Sequence, residues 1–430
     1  MIMKLNSYKQ TIKDISKQQS VRQVASLFSV NIIGIPLGVV TNIIVTKYLG
    51  TQLFGDYKFI CSVFNFVALI ATFGFFQAGN RAIVISKNRD LIRGFYGALL
   101  IILSILFFLM SLGLFLYIQL DGNIADKGLT SFFTLIIPMG FITLWGVLYE
   151  TVLPADNQIG LLAKMRLYPK IINIIVACLL YYFSSDLPLN KLLAILLLYN
   201  GSQLLLYIHM ICSLNPTFKY WKTSIKEIYN YNKSFGFNVY VGSLFAVGFG
   251  YLTEIFISYF GSNNVDVGFY SLALTFTQPL TLIPVTIATT HYKSFATSTC
   301  VSKKLLFTTL LLSGLSLIGL WVLIPPFIKY CYGIEFLPVI GINFFVCIGA
   351  FFYGMGDFYN RFVQSKGCGS RLRNASFFVG VTTLLSNIIL IPTYGAYGAA
   401  YSRIITGVVY LLIIYYYYKK TIVDSKVNSI

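Results

Sequence analysis

A succession of long apolar runs separated by short polar turns restricts this chain to one kind of environment. The runs number twelve and cover about 24–46, 57–80, 95–120, 129–153, 168–184, 190–213, 234–260, 267–291, 304–327, 336–358, 374–391 and 396–418. A helix needs about 20 apolar residues to cross about 30 Å of hydrocarbon, and most of the runs reach that length. The stretch 95–120 holds 26 residues without one ionised side chain. Charged residues make up only 11% of the chain, where a soluble domain carries roughly 25%. A soluble enzyme, a secreted disulfide scaffold and a DNA-binding domain are all excluded. The reading is an all-α, multi-pass membrane protein with twelve transmembrane helices.

The formal charge of +18 is explained by where the cations lie. With an even number of spans both termini share a side. That side carries 26 of the 32 Lys and Arg, against five on the other and Arg403 within a span. Such a bias marks the cytoplasmic side, so both termini are expected to be cytoplasmic, and no nucleic-acid partner is expected. Membrane lipids are the default contact, and some of the positive charge suits anionic lipid. Residues 1–22 read as hydrophilic, and the first apolar run is too long for the core of a cleavable signal. The seven Cys form no CxxC pair and there are two His, so neither a metal site nor a disulfide framework is indicated. No phosphate loop of the form GxxxxGK[ST] occurs, and no cofactor is expected.

The longest polar segment between spans, about 214–233, divides the runs six and six. The expected halves are 1–215 and 216–430. Tyr48-Leu49-Gly50-Thr51 followed by Gly55-Asp56-Tyr57 is echoed by Tyr259-Phe260-Gly261-Ser262 followed by Gly268-Phe269-Tyr270. Both copies fall in the first loop of their half. Duplicated halves in the same orientation pack about an axis normal to the membrane, with the substrate site between them.

These residues resemble a known family. Lys47-Tyr48-Leu49-Gly50 through Gly55-Asp56-Tyr57, Gly333-Ile334-Glu335-Phe336, and Pro392-Thr393-Tyr394-Gly395-Ala396-Tyr397-Gly398-Ala399-Ala400 are similar to the pattern of the polysaccharide-exporting branch of the multidrug/oligosaccharidyl-lipid/polysaccharide flippase superfamily. Within it the short loops look most like a Wzx-type O-antigen flippase. Lipid II flippases of the superfamily typically carry two further spans. The resemblance implies transfer of an undecaprenyl-pyrophosphate-linked oligosaccharide from the cytoplasmic to the periplasmic leaflet of the bacterial inner membrane. It further implies a V-shaped cavity between the halves, rocking by alternating access, and association with the glycan polymerase and chain-length regulator. No covalent chemistry is required.

Charges inside spans are costly and point first to function. Glu254, in the seventh span, is the candidate ion-coupling group; a carboxylate in a wet vestibule is the other reading. Arg403, in the twelfth, suits a diphosphate, since a guanidinium matches phosphate oxygens in pairs; it equally suits snorkelling to headgroups. Arg22, Arg81, His291 and Lys293 are candidates for a cationic rim that captures diphosphate, or ordinary flanking cations. Asn31 is a candidate sugar contact. Pro36 bends the first span and is a candidate hinge, while Glu150 and Asp357 are candidate gate residues or partners of nearby basic loops. Two rival functions remain: a cation-coupled multidrug or metabolite exporter, which should show more acidic groups in the first six spans, and a membrane polymerase, which should show a large outside loop.

Overall fold

The computed structural model describes residues 19–183 and 190–427. Among them helix is the regular structure throughout, with no strand. In chain order the main helices are α1 (Gln19–Ala71), α2 (Phe75–Ile85), α3 (Arg89–Leu120), α4 (Thr130–Val152), α5 (Ile159–Phe183), α6 (Leu204–Leu214), α7 (221–260), α8 (Val265–Thr290), α9 (Lys303–Tyr332), α10 (Pro338–Ser365) and α11 (Gly369–Val427). Eight of the described helices are long and apolar enough to cross a membrane. The outward faces of α3 and α9 are apolar, with Phe108, Leu112, Leu116, Leu315, Val322 and Leu323 all exposed. Continuous apolar surface of this extent belongs against lipid.

Two glycines divide the longest helices. Gly50 in α1 has φ +73° and Gly395 in α11 has φ +54°, left-handed values that cost a residue with a Cβ about 1 kcal/mol or more. Gly395 folds α11 back on itself, bringing Ser386 Oγ within 2.6 Å of Ser402 Oγ, so the last two apolar runs are arms of α11; Gly50 kinks α1, which carries the first run and the start of the second. The run 57–80 is not one helix. It stops at Ala71, turns through Phe73 (φ +43°) and Gly74 (φ +83°), and resumes as α2. The turn exists because backbone packs against it. A Cβ on Gly74 would lie 2.6 Å from the Gly236 carbonyl, and Asn232 Nδ2 donates to Phe73 O at 3.1 Å. The fifth run, read from 168, starts at Ile159 instead. Its first turns carry Lys164, Arg166 and Lys170, which lower local hydropathy without breaking the helix.

The helices form two compact units that do not follow chain order. One contains the described residues up to Ile44, Thr72–Leu109 and Pro138–Phe237; the other contains Val45–Ala71, Met110–Ile137 and the described residues from Asn238. In the first unit Trp145 stacks on Tyr207 with ring centroids 5.2 Å apart, and its indole N–H donates to Met210 Sδ at 3.3 Å. Gly97 lets α3 approach the backbone of Thr217.

In the second unit close packing rests on small residues, as expected where lipid supplies no hydrophobic drive between helices. Gly349 and Gly356 of α10 receive Arg403 and Tyr410 of α11. Gly55 of α1 and Gly268 of α8, the matching glycines of the two sequence copies, pack against each other: a Cβ on Gly268 would lie 3.1 Å from Gly55 Cα. A Cβ on Gly55 would lie 1.9 Å from the Asn264 carbonyl oxygen. Gly55→Ala is therefore expected to cost about 1–3 kcal/mol by overpacking, read as a lower midpoint in a mixed-micelle denaturant titration. The preceding pair is not equivalent, since Gly261 is extended at φ −94° where Gly50 is left-handed.

Candidate functional site: a charged cavity in the second unit

A cavity of about 330 Å³ opens among α7, α8, α10 and α11. Glu254, Tyr270, Tyr353 and Arg403 are its most polar large side chains, with Thr253, Thr383, Ser402 and Thr406 between them. The helices set these positions. Glu254 lies on α7 two turns before its end at Phe260. Arg403 lies two turns past the Gly395 break, and its guanidinium turns inward over the Tyr353 ring, 5.2 Å from the centroid. Tyr270 hydrogen-bonds to Arg403, yet Arg403 Nε is buried without a partner. A buried unpaired donor on a cation costs more than the average hydrogen bond returns, and its residue lines the cavity. Deeper in the wall Asn387 donates to Thr253 Oγ1 at 2.8 Å, leaving its own Oδ1 unpaired.

Glu254 is 9% exposed and does not form an ion pair with Arg403. Its carboxylate accepts from Ser62 of α1 and is within hydrogen-bonding reach of Ser271 of α8. Lys58, one helical turn before Ser62, is its nearest cation and interacts with it electrostatically. The Lys58 ammonium also rests on the Phe54 and Tyr57 rings, at 5.2 and 5.7 Å. The site thus holds a buried acid that interacts with Lys58 outside the cavity wall and a guanidinium with one unpaired nitrogen. Such an arrangement can bind an anionic group and exchange a proton.

Sequence reasoning found Glu254 and Arg403 and missed Ser62, Lys58, Tyr353 and Ser271. Lys58 lies at the very start of the apolar run 57–80. The signal available was its spacing: Phe54, Lys58 and Ser62 share one helical face at intervals of four.

A second buried polar cluster lies nearby in sequence terms, between the two glycine motifs. Asn264 Nδ2 donates to Asp56 Oδ1 at 2.7 Å, and Ser258 Oγ donates to Asn264 Oδ1 at 2.6 Å. Lys127 Nζ donates to Ser258 Oγ at 2.9 Å and to the Ser258 carbonyl. Burial pushes the Lys127 ammonium down to about 8, with Asp56 and Asp121 pulling the other way. An ordinary lysine titrates at about 10.4, so between about pH 8 and 10 the unfolded chain holds the extra proton. Stability then rises with pH across that window, and this group contributes no slope below it. Thermal unfolding in detergent checks this. The wild-type midpoint should gain on that of Lys127→Met from about pH 8 to 10, with a constant difference from about pH 6 to 7.5.

The other candidates are placed individually. The side chains of Arg22, Asn31 and Lys293 fall outside the described residues. Arg81 is exposed on α2 and stacks on Phe235 at 4.8 Å. His291 is exposed at the end of α8, with Nδ1 2.9 Å from Ile287 O. Pro36 lies within α1 and is exposed. Glu150 is paired with Arg166, Nε donating at 2.8 Å. Asp357 accepts from the Tyr410 hydroxyl at 2.7 Å. Lys170 of α5 donates to Gly34 O at 3.1 Å, tying that basic segment to the first arm of α1.

The family model described as polysaccharide biosynthesis protein matches residues 20–292. No curated protein matches the sequence. Among solved structures the chain is similar to the lipid II flippase MurJ in an inward closed conformation, at 17% identity and TM-score 0.73, covering 94% of this chain and 90% of that one. It is also similar to an inward-facing multidrug resistance MATE family transporter of the MOP superfamily, at 14% identity and TM-score 0.71, covering 92% and 96%. An outward-facing structure of a MATE family transporter gives 14% identity and TM-score 0.54, covering 94% and 96%. At these identities the likeness is one of fold.

Proposed function

This chain belongs to the polysaccharide biosynthesis protein family, and from that premise we propose that it is a flippase for a lipid-linked oligosaccharide. Its substrate is an undecaprenyl-pyrophosphate-linked O-antigen or similar repeat unit, carried from the cytoplasmic to the periplasmic leaflet of a bacterial inner membrane. One observation carries the reading: the undersatisfied Arg403 guanidinium facing a cavity inside the membrane, among tyrosine and hydroxyl side chains. A diphosphate requires a cation and several donors, and sugar hydroxyls favour aromatic and hydroxyl walls. Two six-helix halves, 1–215 and 216–430, supply twelve spans with both termini cytoplasmic, in keeping with the 26-to-five distribution of cations. The packing of Gly55 on Gly268 supports a duplicated origin for these halves. The cavity is lined wholly by residues of 216–430, and rocking of the halves presents that half's site to each face in turn, hinged near Pro36. Arg22, Arg81, His291 and Lys293 gather the headgroup at the cytoplasmic side, Asn31 contacts sugar, and Glu150 and Asp357 belong to the gate. Glu254 couples the cycle to an ion gradient. No bond is made or broken, and the polymerase and chain-length regulator act on the delivered product.

The test is the leaflet distribution of the lipid-linked oligosaccharide in cells depleted of this protein, read with a membrane-impermeant probe. Accumulation on the cytoplasmic leaflet, reversed by the wild-type protein, is expected. A normal pool with normal surface glycan overturns the proposal in favour of a multidrug or metabolite exporter, and accumulation on the periplasmic leaflet overturns it in favour of a polymerase.

A further inference from the structure

A second recess of the same unit lies on the far side of α7 from the charged cavity. It encloses about 510 Å³ and is walled by Val63, Phe66, Tyr117, Ile255, Phe256 and Tyr259, among others. Its lining is almost wholly apolar. The polar atoms at hand are the Tyr117 and Tyr259 hydroxyls, 2.8 Å apart and bonded to each other, which hold two aromatic walls together. Tyr259 and Phe260 are 41% and 51% exposed, so the recess opens outward, within helices that lie in the membrane.

Helix geometry links this recess to the cavity. At about 100° per residue, residues 252, 256 and 259 project from the side of α7 roughly opposite Glu254. Glu254 lines the charged cavity, while Leu252, Phe256 and Tyr259 line the apolar recess. On α1 the adjacent residues Ser62 and Val63 divide in the same way: Ser62 bonds Glu254, and Val63 belongs to the apolar wall. One helix thickness therefore separates a site for a charged headgroup from a slot for hydrocarbon. The Ser62–Glu254 hydrogen bond spans the seam between them. A second apolar recess, about 440 Å³ beside Leu179, Phe183 and Leu197, is lined by apolar side chains, Gly201 and Ser202, with no charged residue in its wall.

We propose that the recess among α1, α3 and α7 holds the isoprenoid chain of the lipid-linked substrate while its diphosphate occupies the charged cavity, with the α1–α7 seam as the passage between them. This inference rests on the flippase reading and assigns the tail a place within it. Bulk phospholipid is the alternative occupant. The experiment places a benzophenone amino acid at Phe256, at Leu179 and at Tyr353 in separate full-length variants. Each is illuminated in membranes containing oligosaccharide-linked undecaprenyl pyrophosphate radiolabelled in its prenyl chain. Labelled adducts several-fold more abundant at Phe256 than at Leu179 are expected, together with adducts at Tyr353. Equal yields at Phe256 and Leu179, or phospholipid adducts alone at Phe256, overturn the tail assignment even if Tyr353 is labelled. Absence of labelled adducts at all three positions overturns it together with the flippase reading. The same label at Val67, also in the recess wall, replaces Phe256 should that variant fail to accumulate.

Discussion

On the proposed flippase function, Arg403→Ala is expected to lower delivery of lipid-linked oligosaccharide to the outer leaflet by roughly 10- to 100-fold, with little loss of protein stability. Hydrogen bonds to a charged group contribute about 1.5–3 kcal/mol, and each 1.4 kcal/mol is a factor of ten. The small stability effect follows from the packing around Arg403. Arg403 Nε has no partner, so its removal relieves a buried unsatisfied donor while forfeiting a contact with Tyr353 and a hydrogen bond with Tyr270. Arg403→Lys should recover only part of the rate, because an ammonium keeps the charge but not the planar fork that matches two phosphate oxygens. Reconstituted vesicles with labelled substrate and an impermeant probe measure the rate, and thermal unfolding measures stability. An unchanged rate in Arg403→Ala removes Arg403 from the substrate path. A parallel fall in rate and stability makes it a packing residue between α10 and α11.

Much of this was legible before any coordinates. Apolar runs of membrane length identify the environment, and charges within such runs are few enough that Glu254 and Arg403 stand out singly. Their meeting in one cavity was not legible. They are far apart in sequence, and only the packing of α7, α8, α10 and α11 closes the wall around both. The glycine motifs were legible as turns, and Gly50 and Gly395 break their helices with positive φ. The second function of the Gly-x-Tyr copies was hidden. Gly55 and Gly268 pack on each other, and Tyr270 lines the cavity. Hydropathy failed where backbone geometry or ion pairing decides. The turn at Phe73 and Gly74 lies in uniformly apolar sequence, whereas α5 continues through basic residues, one of which, Arg166, is neutralised by Glu150. Lys58 looked like a loop residue because an apolar window begins just before it, yet the break at Gly50 starts the second arm of α1 nearly two turns earlier.

On the proposed coupling role, Glu254→Gln is expected to abolish the gradient-driven part of transport while sparing exchange in the absence of a gradient. Glutamine matches the shape of the carboxylate and still offers Ser62 an acceptor, but it has no proton to take up or release. Moving one charge through 100 mV supplies about 2.3 kcal/mol, roughly a fifty-fold accumulation ratio, and this is the factor the variant should lose. Lys58 makes the site suitable for such a role. When Glu254 is ionised, the Lys58 ammonium partly offsets its charge; when it is protonated, the cation is left on the Phe54 and Tyr57 rings. The two states therefore differ in the electrostatic attraction across the α1–α7 seam, which is what lets proton binding bias a conformational equilibrium. Lys58→Met should weaken that bias, leaving transport slower but still gradient-dependent. Vesicles with an imposed proton gradient, compared with vesicles at equal pH, separate the possibilities. If Glu254→Gln slows driven transport and exchange by the same factor, Glu254 acts as a structural latch to Ser62, and the coupling group must be sought elsewhere.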